Sequence, residues 1–162
     1  MRKGLEVFSL AGLTLIFWMT WEAFNGPVPL PERVPTHFDA SGNANTWGPP
    51  GTLWFLPVIA VALYLIITVI SLLPTGFRSA VIRVTAENRA RLESLTHQMV
   101  AWIKLELVCL FAWIQWSILQ SVREGSGGIS PLVAPVFVVV VFATLGVHAA
   151  GIFRAARAGS DS

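Results

Sequence analysis

Apolar residues run in four long blocks separated by polar or proline-rich segments. Leu5 to Phe24 is broken only by Glu6 near its start and Glu22 near its end, and Thr52 to Leu73 carries no charge. Gln98 to Val122 holds Lys104, Glu106, Gln115 and Gln120, while Pro131 to Phe153 contains a run of valines and one ionisable side chain, His148. A hydrocarbon layer about 30 Å thick is crossed by roughly 20 apolar residues in a helix, and every block reaches that length. The pattern predicts an all-α integral membrane protein, a four-transmembrane-helix bundle with connections of 27, 24 and 8 residues. Residues 1–73 read as a helix hairpin around a loop at 25–51, 74–97 as a basic connection, and 98–162 as a second helix pair with a short basic tail.

Composition closes off the alternatives. The chain is 54% hydrophobic and 12% charged, about half the charge of an ordinary soluble domain, and its aromatic and aliphatic content is the reverse of a disordered chain. Cys109 is the single cysteine, which excludes an intrachain disulfide and a cysteine-rich metal cluster. Arg2 and Lys3 ahead of an apolar block resemble the start of a secretory leader. That block is long enough to span, however, and Trp21-Glu22-Ala23-Phe24 is a poor small-residue cleavage site, so an uncleaved first helix is expected.

Charge placement predicts orientation. Arg2, Lys3, Arg78, Arg83, Arg89, Arg91, Arg154 and Arg157 fall on one side of a four-span chain, against Arg33 and Arg123 on the other. This bias places both termini in the cytoplasm. It also explains the net positive charge through topology and anionic lipid rather than nucleic acid. Trp18, Trp21, Trp54 and Trp116 are expected near the outer ends of their helices, with Trp102 toward the inner end. The third helix is expected to begin in the cytosol near Thr85, with Glu87/Arg91 and Arg89/Glu93 at helical pair spacing.

The outer connection, 25–51, concentrates proline and glycine. Gly26 to Pro35 is expected to be stiff and extended, close to polyproline II. Asp39-Ala40-Ser41-Gly42-Asn43 has the composition of a tight turn, with Asp and Ser bonding nearby backbone and Gly supplying positive φ. Asp39, Ser41, Asn43 and Asn45 alternate like the start of a calcium loop, but Ala44 stands where glycine is needed and Pro50 where a bidentate Glu belongs. No metal and no cofactor are therefore expected. His37 and Asp39 beside Glu32 lack a nucleophile or second carboxylate to make a hydrolase; they read as turn-building or partner-contacting groups.

Within the third block, helical geometry at 100° per residue places His97, Lys104 and Gln115 within about 20° of one another and Glu106 about 160° from Lys104. Lys104 and Glu106 therefore cannot pair, and Lys104 is expected to snorkel toward the cytosol. Glu22 is placed near the far face from Glu106. Intramembrane ionisable groups are functional candidates, which singles out Glu22, Lys104, Glu106 and Gln115. A proton or ion path would rest on these, and a bridging haem only on His97 and His148. Ala143, Gly146, Ala150 and Gly151 read as close packing of the fourth helix, within the bundle or against a partner.

Leu30-Pro31-Glu32-Arg33-Val34-Pro35-Thr36-His37-Phe38-Asp39, followed by Gly42-Asn43-Ala44-Asn45-Thr46-Trp47-Gly48, resembles the signature loop of the bacterial membrane domain of unknown function 1648. That domain forms the N-terminal part of SdpI-type immunity proteins, which protect a cell from a secreted antimicrobial peptide. The resemblance covers Leu13 to Ile67. Asn45 replaces a usual acidic residue, and Pro49 and Pro50 stand where a Lys usually follows Trp-Gly; the second half has no match to the SdpI-type C-terminal part. The resemblance implies a non-enzymatic protein of the bacterial cytoplasmic membrane that meets a membrane-active peptide through Pro31, Pro35, His37, Phe38, Asp39, Gly42, Asn45 and Trp47. The competing expectations are an accessory subunit of a larger membrane complex, and an ion or proton conductor.

Overall fold

A computed structural model describes residues 2–72, 84–125 and 128–158. Four helices, α1 (Arg2–Asn25), α2 (Phe55–Leu72), α3 (Arg89–Glu124) and α4 (Val133–Ala158), pack together, and a two-stranded hairpin, β1 (Val34–Phe38) and β2 (Ala44–Gly48), lies between α1 and α2. A 3-10 turn, Pro50–Trp54, leads into α2. All four helices are long and apolar enough to cross a membrane. At 1.5 Å per residue, the 36 residues of α3 extend about 54 Å, well beyond a hydrocarbon core. Its first turns, carrying Arg89, Arg91 and Glu93, therefore project into the polar region; the helix, expected to begin near Thr85, starts four residues later at Arg89. Arg78 and Arg83 lie outside the described residues.

Periodicity explains the packing. The buried residues of α1, namely Leu5, Ser9, Leu13, Ile16, Thr20 and Ala23, recur every three or four positions and form one stripe. This stripe meets the α3 face bearing Ala101, Lys104, Val108, Gln115 and Ile118, all buried. A central layer of Leu13, Ile16, Ala60 and Val108 joins α1, α2 and α3. A second cluster, Ala23, Val34, Leu53, Ile118 and Leu119, closes the end beneath the hairpin. Ring contacts at 6.0 Å from Trp54 to both Phe17 and Phe24 tie the start of α2 to α1. Trp18, Trp21 and Trp116 stand exposed in the same half of the bundle, as amphipathic rings near a bilayer surface do.

Gly12 permits the close approach of α1 and α3. A Cβ there would sit 2.6 Å from Cγ1 of Val108, a stiff β-branched side chain that is 1% exposed. Gly12→Ala is therefore expected to cost about 1–3 kcal/mol through overpacking, read as a lower unfolding midpoint in micelles. Gly4→Ala, which meets open space, is the matched control and should leave the midpoint unchanged.

Within the bundle, the small residues of the fourth helix do not form the expected seam. A Cβ on Gly146 would meet nothing within 4 Å, whereas Gly151 lies against Leu95 of α3. Its valine run is instead exposed, including Val138, Val139 and Val140.

Candidate functional site

The hairpin is built by its turn. Asp39 Oδ1 accepts hydrogen bonds from the backbone amides of Ser41 at 2.9 Å and Asn43 at 3.0 Å. Gly42 N–H donates to Asp39 O at 2.9 Å, and Asp39 N–H to Asn43 O at 2.9 Å. Gly42 takes φ +82°, as the turn reading requires of a glycine. The strands pair antiparallel from Val34↔Gly48 to Phe38↔Ala44, with irregularities on either side of His37. The chain also bends at 26–28 and at 32 before entering β1. This corrects the expectation of one extended run from Gly26 to Pro35: Gly26 N–H still bonds Glu22 O at 2.7 Å and so prolongs the α1 terminus.

Two anchors fix this hairpin to the bundle. Val34 is fully buried in the cluster under the cap, and Phe38 packs beside it. At the tip, Ile129 N–H in the α3–α4 connection donates to Gly42 O at 2.8 Å, and Asn43 bridges Gly128. Arg33 Nη2 donates to Trp47 O at 2.7 Å. The loop candidates thus divide by role. Pro35 and Gly42 are buried and Phe38 is half-buried, and these hold the hairpin; Pro31, His37, Asp39, Asn45 and Trp47 are exposed. His37 Nδ1 lies 2.6 Å from Asn45 Oδ1; since the carbonyl oxygen can only accept, the ring nitrogen donates. The residue that stands in place of an acid in the family pattern is therefore paired with the histidine of the motif. Beside the hairpin, the run Pro27–Pro31 roofs a cavity of about 320 Å³ over the ends of α1 and α3. At its edge Glu22 and Arg123 form an exposed ion pair at 2.5 Å.

The intramembrane candidates sort by helix face. Lys104 is 3% exposed and donates to Glu6 Oε1 at 2.6 Å and to Thr68 Oγ1 at 3.2 Å, with its ammonium 4.8 Å from the centre of the Tyr64 ring. Tyr64 OH donates to the other Glu6 oxygen at 2.8 Å. The expected snorkelling is therefore wrong: a carboxylate and a hydroxyl satisfy the ammonium inside the bundle. Seven residues before Lys104 on the same face, His97 Nε2 lies 3.2 Å from Ser71 O and so donates to it. On that face toward the hairpin, Gln115 Nε2 donates to Thr20 Oγ1 at 2.8 Å and Leu53 O at 3.3 Å. The two polar clusters sit eleven residues apart along α3, about 16 Å, with the apolar layer of Leu13, Ile16, Ala60 and Val108 between them. Glu106 points the other way and accepts from Thr144 of α4 through Oε1, while its Oε2 is buried with no partner among the described residues. His148 Nδ1 bonds the carbonyl of Thr144 in its own helix.

Sequence reasoning placed His97, Lys104 and Gln115 on one face and Glu106 on another, and the structure agrees. It missed Glu6, Thr20, Thr144, Arg123 and Ile129 as partners. Thr20 is findable, since it shares the apolar stripe of α1; Glu6, near the start of the first block, carries no such signal.

Four spanning helices capped by a hairpin locked to their ends define a multi-pass membrane protein with a structured extramembrane cap. Residues 10–61 match the family model described as Domain of unknown function (DUF1648), so the chain carries that domain across most of α1, the hairpin and the start of α2. No curated protein and no solved structure matched the chain.

Proposed function

We propose that the protein is a non-enzymatic bacterial membrane protein whose hairpin recognises a membrane-active antimicrobial peptide at the outer surface, conferring immunity to it or sensing it. In this reading both termini are cytoplasmic. The observation that carries it is the double anchoring of the hairpin, which spends buried contacts at Val34 and a backbone clamp at Gly42 on holding exposed His37, Asn45 and Trp47 in one arrangement. A preset surface binds without the ordering cost that a mobile loop would incur. The polar groups that could have served catalysis are engaged in structure: Asp39 holds turn amides and His37 holds Asn45. The neighbouring cavity under Pro27–Pro31 offers apolar walls next to the Glu22–Arg123 pair. The resemblance of the loop to that of SdpI-type proteins supports the same reading.

Deleting the gene is expected to sensitise the host to membrane-active peptides, with resistance restored by the wild-type chain. Unchanged sensitivity, with the protein retained in a larger assembly after gentle detergent extraction, would favour the second reading, an accessory subunit. The exposed valine face of α4 speaks for that second reading. A conducting role finds less support, because the packed apolar layer interrupts the polar groups along α3.

A further inference from the structure

We infer that the groove between α3 and α4 is a bilayer-facing docking site for a transmembrane helix of another protein, one that carries a single lysine or arginine at mid-membrane depth. The groove holds about 520 Å³, and its walls are apolar, including Trp102, Trp113, Phe137 and Val140, with Glu106 among them. Thr144 supplies one carboxylate oxygen with a donor, and the other is buried without one among the described residues. An ionised group at this depth is costly, and a buried acceptor left unmet calls for an explanation. A basic side chain brought alongside by a helix supplies the missing donor and the opposite charge together.

Other occupants fit less well. Acyl chains match the walls but bring no donor, and lipid ammonium groups stay at the headgroup level. A second copy of this chain has Lys104 within its spans, but that ammonium is 3% exposed and held by Glu6 on the face toward α1 and α2. The α4 side of the groove is also open to a neighbour: Leu132, Val136 and Val140, which line it, are exposed. No hairpin residue lines the groove, and the proposal does not depend on the peptide-recognition reading.

The test uses the full chain in dodecyl maltoside micelles, titrated with dye-labelled leucine–alanine helices of roughly 20 residues, carrying either one central lysine or leucine in its place. The wild type is expected to prefer the lysine helix about tenfold, the scale of a polar contact between membrane helices. Glu106→Gln, which keeps an acceptor for Thr144, is expected to lose that preference while retaining the wild-type circular dichroism spectrum and elution volume. Cys109, exposed and lining the same groove, gives an independent readout: the lysine helix should slow its alkylation by N-ethylmaleimide in wild type only. Equal binding of both helices to wild type, or an undiminished preference in Glu106→Gln, would overturn the proposal. So would a wild-type dimer that Glu106→Gln dissociates, since that assigns the groove to a second copy.

Discussion

Gly42→Ala is expected to detach the hairpin tip from the α3–α4 connection. A Cβ at this position would lie 2.0 Å from the carbonyl oxygen of Ile129, at φ +82°. The left-handed backbone alone costs a non-glycine residue about 1–2 kcal/mol. The overlap is with backbone on both sides, so relief requires breaking the bond from Ile129 N–H to Gly42 O, worth about 1 kcal/mol. Together these bring the expected loss to about 3 kcal/mol, concentrated at the clamp. Hydrogen exchange should show the Ile129 amide losing at least about tenfold in protection, with α1 and α3 unaffected. Gly51→Ala, in open space, should change nothing. Undiminished protection at Ile129 in Gly42→Ala would mean that the clamp does not hold the hairpin.

The second large effect belongs to the membrane interior. Glu6→Gln removes the counter-charge of an ammonium that is 3% exposed. Breaking one partner of a buried pair costs about 3–5 kcal/mol, and the 30% exposure of Glu6 argues for the lower end of that range. The double variant Glu6→Gln/Lys104→Met should regain most of the loss, because an apolar side chain in the same space leaves no charge to satisfy. Unfolding in micelles measures both. A Glu6→Gln protein as stable as wild type would show that water, rather than Glu6, neutralises Lys104.

These two positions also show what the sequence could reveal. Helical elements were legible because burial on a helix repeats every 3.6 residues; the angular grouping of His97, Lys104 and Gln115 required nothing but that period. The four spans and the placement of both described chain ends at one end of the bundle followed from block length and connection order. Pairings across long separations were not legible. Glu6 meets Lys104 across 98 residues, and Glu22 meets Arg123 across 101, distances over which periodicity carries no information about register. The hairpin was hidden for a different reason: prolines at 31 and 35 and the polar run through Asn43 and Asn45 mask strand alternation, and the strands are stabilised by what lies beneath them. The turn at Asp39 to Asn43 was readable because its hydrogen bonds are local.

The exposed and buried halves of the hairpin motif allow recognition to be separated from stability. Val34, Pro35 and Gly42 hold the hairpin, so their substitution damages the fold and function together. His37 and Trp47 are exposed, and changing them leaves the anchors in place. The most direct measurement is therefore peptide resistance of cells expressing His37→Ala/Trp47→Ala at wild-type level, alongside its unfolding midpoint. The account predicts lost resistance at an unchanged midpoint; full resistance in this variant would contradict it.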